Sequence, residues 1–203
     1  MKYLLPKNYL SYTQFMMWER SPKQYEKYYI NGEKFPVNQY MRLGKRVAEA
    51  LENDTPVKDG FIEQFRVLTP AYKNREYEIV AEGEFTLLGK IDGCTFGKKS
   101  IMGEHKTGKN WTQKMADNHV QITFYNMLLY LTKKKLFDEN YLHWAETHLD
   151  DNGIVELTGN ITTFSTTRNV KDVLKLYSSC KKAVIEIDKR MNELCTTANS
   201  QTK

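Results

Sequence analysis

The stretch from Gly89 to Gly108, GKIDGCTFGKKSIMGEHKTG, restricts this chain more than any other. It reads as a β-hairpin. Leu87-Leu88 leads into a first strand, Gly97-Lys98-Lys99 makes the turn, Ile101-Met102 opens a second strand and Thr107-Gly108 ends it. With the turn centred on Lys98, Phe96 faces Ser100, Cys94 faces Met102 and Asp92 faces Glu104. Opposed side chains of an antiparallel pair share a sheet face, with Cβ atoms about 5 Å apart. The strand period of two adds Lys106 to that face. Leu87, Leu88, Ile91, Cys94, Phe96, Ile101 and Met102 make both faces apolar, so the hairpin belongs in a sheet covered on both sides.

Two carboxylates and an amine therefore converge at one end of the hairpin. Ionised carboxylates this close repel and raise one pKa unless a cation stands between them. A hard divalent ion removes the conflict, and carboxylate oxygens suit magnesium or manganese. Lys106 is then placed to contact an attacking water or a phosphate oxygen. A surface hairpin with scattered charges is the plainer reading of so short a match. The apolar strands weigh against it, because carboxylates at the rim of a buried sheet need compensation.

A chain of 203 residues can bury a proper core. It is read as one domain over 1–195, with a polar, disordered tail over 196–203. The net charge of +5 permits a polyanionic partner without demonstrating one. A local patch of Lys90, Lys106 and Lys109 at the hairpin mouth is the candidate contact surface for such a polyanion. Cys94, Cys180 and Cys195 show no paired spacing, which speaks against a zinc site or a disulfide framework. No apolar run reaches membrane-spanning length and the start lacks a signal-peptide pattern, so the expectation is a soluble, cytoplasmic protein.

Along the chain, Ser11 is an N-cap for a helix running to about Tyr29, interrupted at Ser21-Pro22. Its aromatic stripe reads as core, while Ser11, Tyr12 and Arg20 have a second reading as contacts to a phosphate backbone. Asn38 to Asn53 reads as a second helix. Thr55 to Pro70 is ambiguous. Glu76 to Glu84 alternates like a strand. After the hairpin and a polar connection, a helix is expected over Met115 to Lys133. Val120, Phe124, Met127, Leu128 and Leu131 form its apolar stripe, and Gln121 and Tyr125 share a separate face, whose plainer reading is a polar rim beside the core. Tyr141 to Leu149, the turn Asp150-Asp151-Asn152-Gly153 and Ile154 to Leu157 read as strand, turn and strand, with Ile161 to Ser165 extending the second. Asn169 caps a last helix. The order predicts an α/β layered domain with a mixed central sheet flanked by helices.

The order of motifs resembles the PD-(D/E)XK, restriction-endonuclease-like superfamily of nucleases, in its RecB-like branch, over roughly Ser11 to Tyr130. Leu10-Ser11-Tyr12 through Ser21-Pro22 is similar to the family's opening helix, and Leu43 through Glu52 to its second. Gly89-Lys90-Ile91-Asp92 followed by Glu104-His105-Lys106-Thr107-Gly108 is similar to the catalytic motif. Gln121-Ile122-Thr123-Phe124-Tyr125 is similar to the branch's Q-x-x-x-Y motif. The resemblance implies that Asp92, Glu104 and the backbone carbonyl of His105 bind a metal, Mg2+ or Mn2+. It implies that Lys106 serves the water and the developing phosphate charge, and that Gln121 and Tyr125 hold the lysine or a DNA phosphate in place. The implied reaction is metal-assisted phosphodiester hydrolysis.

Two positions depart from the pattern. Where members often carry a metal-binding His in the second helix, this chain has Ala48. Glu49, one residue on, and Glu52, one turn along, are the candidate substitutes. Iron–sulfur members carry four cysteines that are not matched here, so no cluster is expected. The functional expectation is a stand-alone, metal-dependent DNA exonuclease of phage or mobile-element recombination and repair. The alternative is a weak or inactive relative that binds nucleic acid or a protein partner.

Overall fold

Ser11 ends a two-residue strand and at once starts a helix. The strand, β1 (Leu10–Ser11), is followed by α1 (Tyr12–Arg20), whose first turn is capped by the Ser11 hydroxyl accepting the Gln14 N–H at 3.3 Å. The computed structural model describes residues 2–201. Helix α1 stops at Ser21, and Pro22 takes the first position of α2 (Pro22–Tyr25), where its missing N–H costs nothing. A π-helical turn (Glu26–Ile30) completes this arm. Asn38 caps α3 (Gln39–Asn53), which buries Leu43, Val47, Ala50 and Leu51 at helical spacing. The ambiguous stretch is also a helix, α4 (Gly60–Leu68). Asp59 caps it by accepting the Ile62 N–H, and Ile62 and Phe65 are its buried face.

Strands β2 (Asn74–Ala81), β3 (Leu87–Thr95) and β4 (Ile101–Gly108) follow. After them come α5 (Gln113–Asp117), α6 (Val120–Lys133), β5 (Glu139–Leu149), β6 (Val155–Thr166) and α7 (Val170–Gln201). The six strands share one mixed sheet, ordered β1-β3-β4-β5-β6 with β2 on the far side of β3. Pairing is parallel for β1 with β3 and β4 with β5, and antiparallel elsewhere. One face carries α1, α6 and α7 over a core that includes Leu87, Ile91, Met102, Phe124, Leu128, Leu142 and Val184. The other carries α3 and α4, with Leu43, Val47, Ile62 and Phe65 packed near Ala145, Val155 and Leu157. The expected α/β fold, a mixed sheet flanked by helices, is the one observed. No helix of the described residues is long and apolar enough to cross a membrane.

Three expectations change. The helix foreseen from Met115 to Lys133 is two helices. His119 is extended at the break, and the Arg168 guanidinium holds the carbonyls of Ala116 and His119 there. Tyr125 is buried instead of lying on a polar rim, because α6 is sandwiched between the sheet and α7 and buries almost every side. The polar stretch from Thr196 continues α7 as far as Gln201, and residues 202–203 lie outside the described part.

The hairpin register is the expected one, with Gly93 opposite Gly103, Cys94 opposite Met102 and Thr95 opposite Ile101. Pairing ends there, one step short of Asp92 and Glu104. From that point β4 continues beside β5, while β3 runs on beside β1, whose partners are Leu87 and Leu88. The sheet therefore forks at Asp92.

Three glycines let other parts approach the fork. A Cβ on Gly93 or Gly103 would stand 2.3 Å from the Tyr72 side chain, whose ring lies across both strands. A Cβ on Gly89 would stand 2.4 Å from Leu128 and 3.1 Å from Tyr125 on α6. Gly103→Ala is expected to destabilise the protein by about 1–3 kcal/mol, the usual cost of overpacking. Gly83→Ala, where the nearest such atom is 3.9 Å away, should be close to neutral. Urea denaturation of both variants checks the contrast.

Candidate active site

At the fork, two backbone groups lose their ladder partners, and a buried polar group without a partner is costly. On β4 the His105 N–H is taken by the Asp92 carboxylate, Oδ2 to N 2.7 Å. Just before β3, the Thr86 carbonyl accepts the Leu10 N–H of β1 at 2.9 Å. Alternate residues present their backbone groups to the same edge, so the Lys90 carbonyl also faces the opened side. The Tyr125 hydroxyl donates to it at 2.7 Å. The groups that repair the fork are thus themselves members of the site.

From Tyr125 the hydrogen bonds run toward the charges. An ammonium only donates, so the Gln121 oxygen must face Lys106 Nζ, which it does at 2.9 Å. The Gln121 amide nitrogen then donates to Tyr125 Oη at 2.7 Å, and the Tyr125 hydroxyl donates in turn to the Lys90 backbone carbonyl. The remaining partner of Lys106 is Glu104 Oε1. Every donor and acceptor direction in this chain is fixed by its neighbour.

Glu104 is fully buried, and its second oxygen, Oε2, has no hydrogen-bond partner. Burial and then the charge of Asp92 push its carboxyl up to about 8, against the pull of Lys106. Burial also raises Asp92, while Lys106 and the His105 N–H oppose it. Burial pulls the Lys106 amine down, but Glu104 and Asp92 outweigh it and hold the pKa above the ordinary value. The two carboxylates, when ionised, thus favour the charged form of Lys106. The Tyr125 hydroxyl is raised well above its usual pKa by burial and by Glu104 and Asp92, and stays a donor.

Asp92, Glu104, His105, Lys106, Thr107 and Gln121 line a cleft of about 270 Å³, closed on the other side by Gly44, Val47 and Ala48 of α3. Among the described residues, no three His, Cys, Asp or Glu side chains stand together as an enclosing metal cage. The donor set still fits a hard divalent ion. Two carboxylates meet here, and one oxygen is buried without a proton donor. Magnesium-type ions keep several waters and need only one or two carboxylates.

The remaining predicted residues are placed as follows. Ser11 is the α1 cap. Tyr12 is half-buried against Phe124, with ring centroids 6.1 Å apart. Its hydroxyl is raised by burial and feels the charges of Lys106, Glu104 and Arg20. Arg20 and Lys109 are exposed. Glu49 is a correction. It sits on the exposed side of α3, paired with Lys45 at 3.6 Å, and lines a separate cleft with Arg46 and Asp59. That cleft is slightly larger, about 330 Å³, but holds no buried polar atom without a partner. The reason is helical rotation: Ala48 faces the site, so its neighbour cannot. Glu52 is exposed as well and does not line the site cleft.

Sequence reasoning missed what lies behind and beside Asp92. The buried His105 ring packs edge-on to Phe65 and tilts over His143. His143 in turn bonds the Tyr72 hydroxyl at 2.7 Å and Thr163 at 2.8 Å. Burial drops both histidines to about 3, so neither is a cation at neutral pH. On β2, Arg75 is opposite Gly93 and Tyr77 is opposite Ile91, which puts Glu76 opposite Asp92. Glu76 has a left-handed backbone, φ 48°, inside a strand. That conformation costs a non-glycine residue roughly 1–2 kcal/mol. Its ion pair with Lys90, 2.7 Å, is half in solvent and returns at most about 1 kcal/mol. No sequence signal distinguishes Glu76 from its neighbours Glu78 and Glu82.

No protein-family model and no curated protein matches this sequence. Solved structures do match it in shape. A phage-related exonuclease from Haemophilus somnus superposes with a TM-score of 0.58 at 15% identity, over 87% of this chain and 83% of that one. An alkaline exonuclease from Laribacter hongkongensis gives 0.56 at 11% identity, over 96% and 95%. The chain has the fold of these exonucleases. At such identities the likeness is one of fold, and the chemistry has to be argued from the cleft itself.

A folded carboxyl raised above its unfolded value binds its proton more tightly when folded. Without a cation, stability is then lost as pH rises from the ordinary carboxylate range toward 8. A divalent ion must displace that proton. The rise in melting temperature on adding Mn2+ or Mg2+ is therefore expected to be larger at pH 8.5 than at pH 6. Thermal-shift titrations at the two pH values check this.

Proposed function

We propose that this protein is a divalent-cation-dependent nuclease that hydrolyses phosphodiester bonds of DNA. The observation that carries the reading is the buried Glu104, with one free oxygen, beside Asp92 and a charged Lys106 at the fork of an exonuclease-like fold. Asp92, Glu104 and the His105 carbonyl are the groups that would hold the cation. When bound, it would polarise the phosphate and acidify a water.

The protein's own contribution is position and charge. Lys106 spends two donors on Glu104 and Gln121, which leaves one of its three for an anionic oxygen in the cleft. The chain from Lys106 through Gln121 and Tyr125 to the Lys90 carbonyl holds that ammonium still before substrate arrives. Such preorganised charge acts most where negative charge builds in the transition state. Exposed Arg20 and Lys109, with the half-buried Tyr12, are the proposed contacts to the nucleic-acid backbone. Action from strand ends, and a setting in phage or mobile-element recombination, are proposed by analogy with the fold neighbours.

A second reading, a weak or inactive relative that binds DNA or a protein, is favoured by one observation. Ala48 lines the cleft where the resembling family often supplies a third metal ligand.

Lys106→Ala is expected to cut the single-turnover rate on the order of 100-fold, with DNA affinity changed far less. Gln121→Ala should give a smaller loss, because it removes a positioning contact and leaves the carboxylates in place. Labelled single- and double-stranded DNA, assayed with Mg2+, with Mn2+ and with chelator, separates the readings. Wild-type-like turnover in folded Lys106→Ala would overturn the nuclease mechanism, and no turnover in any metal would favour the binding reading.

A further inference from the structure

Two carboxylates line the cleft, and α3 adds none to it. The strand on the other side of Asp92 carries a third acidic residue, Glu76, which does not itself line the cleft. Glu76 on β2 stands opposite Asp92, as Glu104 does on β4 in the extended register of the hairpin. Asp92 is thus flanked by an acidic residue on each neighbouring strand. Neither Glu76–Asp92 nor Asp92–Glu104 is joined in the ladder, although the pairs on either side of Glu76–Asp92 are.

Strand β3 also changes face at this level. Gly89 faces Leu128 and Tyr125 on α6, whereas Gly93 faces Tyr72 on the opposite side. Strict alternation would put residues four apart on one face. The left-handed Glu76 stands on β2 opposite this change, between Arg75 and Tyr77, which pair with Gly93 and Ile91. Asparagine or glycine would adopt that backbone more readily, so the local conformation does not explain a glutamate. The half-exposed Lys90 does not explain it either, as the balance of strain against ion pair showed. Glu76 is tied to the site through Lys90: its carboxylate is 2.7 Å from Lys90 Nζ, and the Lys90 carbonyl is the one that Tyr125 holds. The independent pointer to a ligand is Glu104 Oε2, buried and unpartnered in the cleft.

We propose that Glu76 is the third carboxylate of the cation site, accepting hydrogen bonds from the ion's hydration shell and so doing from β2 what α3 does not. An outer-shell role agrees with the lack, among the described residues, of a three-residue cage in direct contact. Glu76 is then a positioning residue, and Lys90 is its partner while the cation is away. The inference rests on the cation reading of the preceding section.

The test is Mn2+ binding to the chelator-treated full-length protein, read by electron paramagnetic resonance of free Mn2+, with no nucleic acid present. Glu76→Gln and Glu76→Asn are compared with Asp92→Asn and with Glu78→Gln, an exposed neighbour on the same strand. Loss of an outer-shell partner should weaken affinity about tenfold in both Glu76 variants. Glu78→Gln should bind as wild type. Glu76→Asn should melt in chelator at the wild-type temperature or above, which separates loss of the carboxylate from loss of fold. Wild-type affinity in folded Glu76→Asn, with binding abolished by Asp92→Asn, would overturn this inference and leave the site standing. No Mn2+ binding by the wild type would overturn both.

Discussion

The fork in the sheet at Asp92 is the constraint on which the rest of the site depends. Two strands that separate inside a covered sheet strand their backbone groups in a place where water cannot serve all of them. Here the repair is made by side chains, the Asp92 carboxylate on the His105 N–H and the Tyr125 hydroxyl on the Lys90 carbonyl. The same separation opens the cleft. Structure and candidate chemistry therefore share their parts: the fork cannot close without displacing Asp92, and Tyr125 cannot leave without orphaning a carbonyl. Gly89 belongs to this arrangement, since only a residue without a Cβ lets α6 come near enough for Tyr125 to reach.

Electrostatics at the fork run against stability. Asp92 and Glu104 are both raised, chiefly by burial, and Glu104 keeps an oxygen with no donor. A buried carboxylate pair with one ammonium is a poor way to hold a sheet together, since well-packed apolar groups commonly do as well or better. Retaining it makes sense where a ligand supplies the missing positive charge. The free oxygen of Glu104, the fixed orientation of Lys106 and the empty α3 wall at Ala48 describe a site built from the sheet outward.

Much of this was legible in the sequence, and the last part was not. The turn at Lys98 set the register that pairs Cys94 with Met102, and caps at Ser11, Asn38 and Asn169 set helix starts, because these signals are local. Local spacing also placed Asp92, Glu104 and Lys106 together, and Gln121 one turn from Tyr125. By contrast, the split of α5 from α6 depends on Arg168, roughly fifty residues further on. The burial of Tyr125 depends on α7 lying over α6. Whether Glu49 or Ala48 faces the cleft depends on the rotation of α3 about its axis, which its packing on β4 and β6 decides. Glu76 was invisible because its relation to Asp92 is one of strand pairing across an intervening turn, and its backbone conformation leaves no mark in composition. What the sequence determined alone was the set of elements and the local placement of the charges, through turn chemistry and periodicity. What only the tertiary structure decided was which strands part, and so which carboxylates are brought together at the cleft between them.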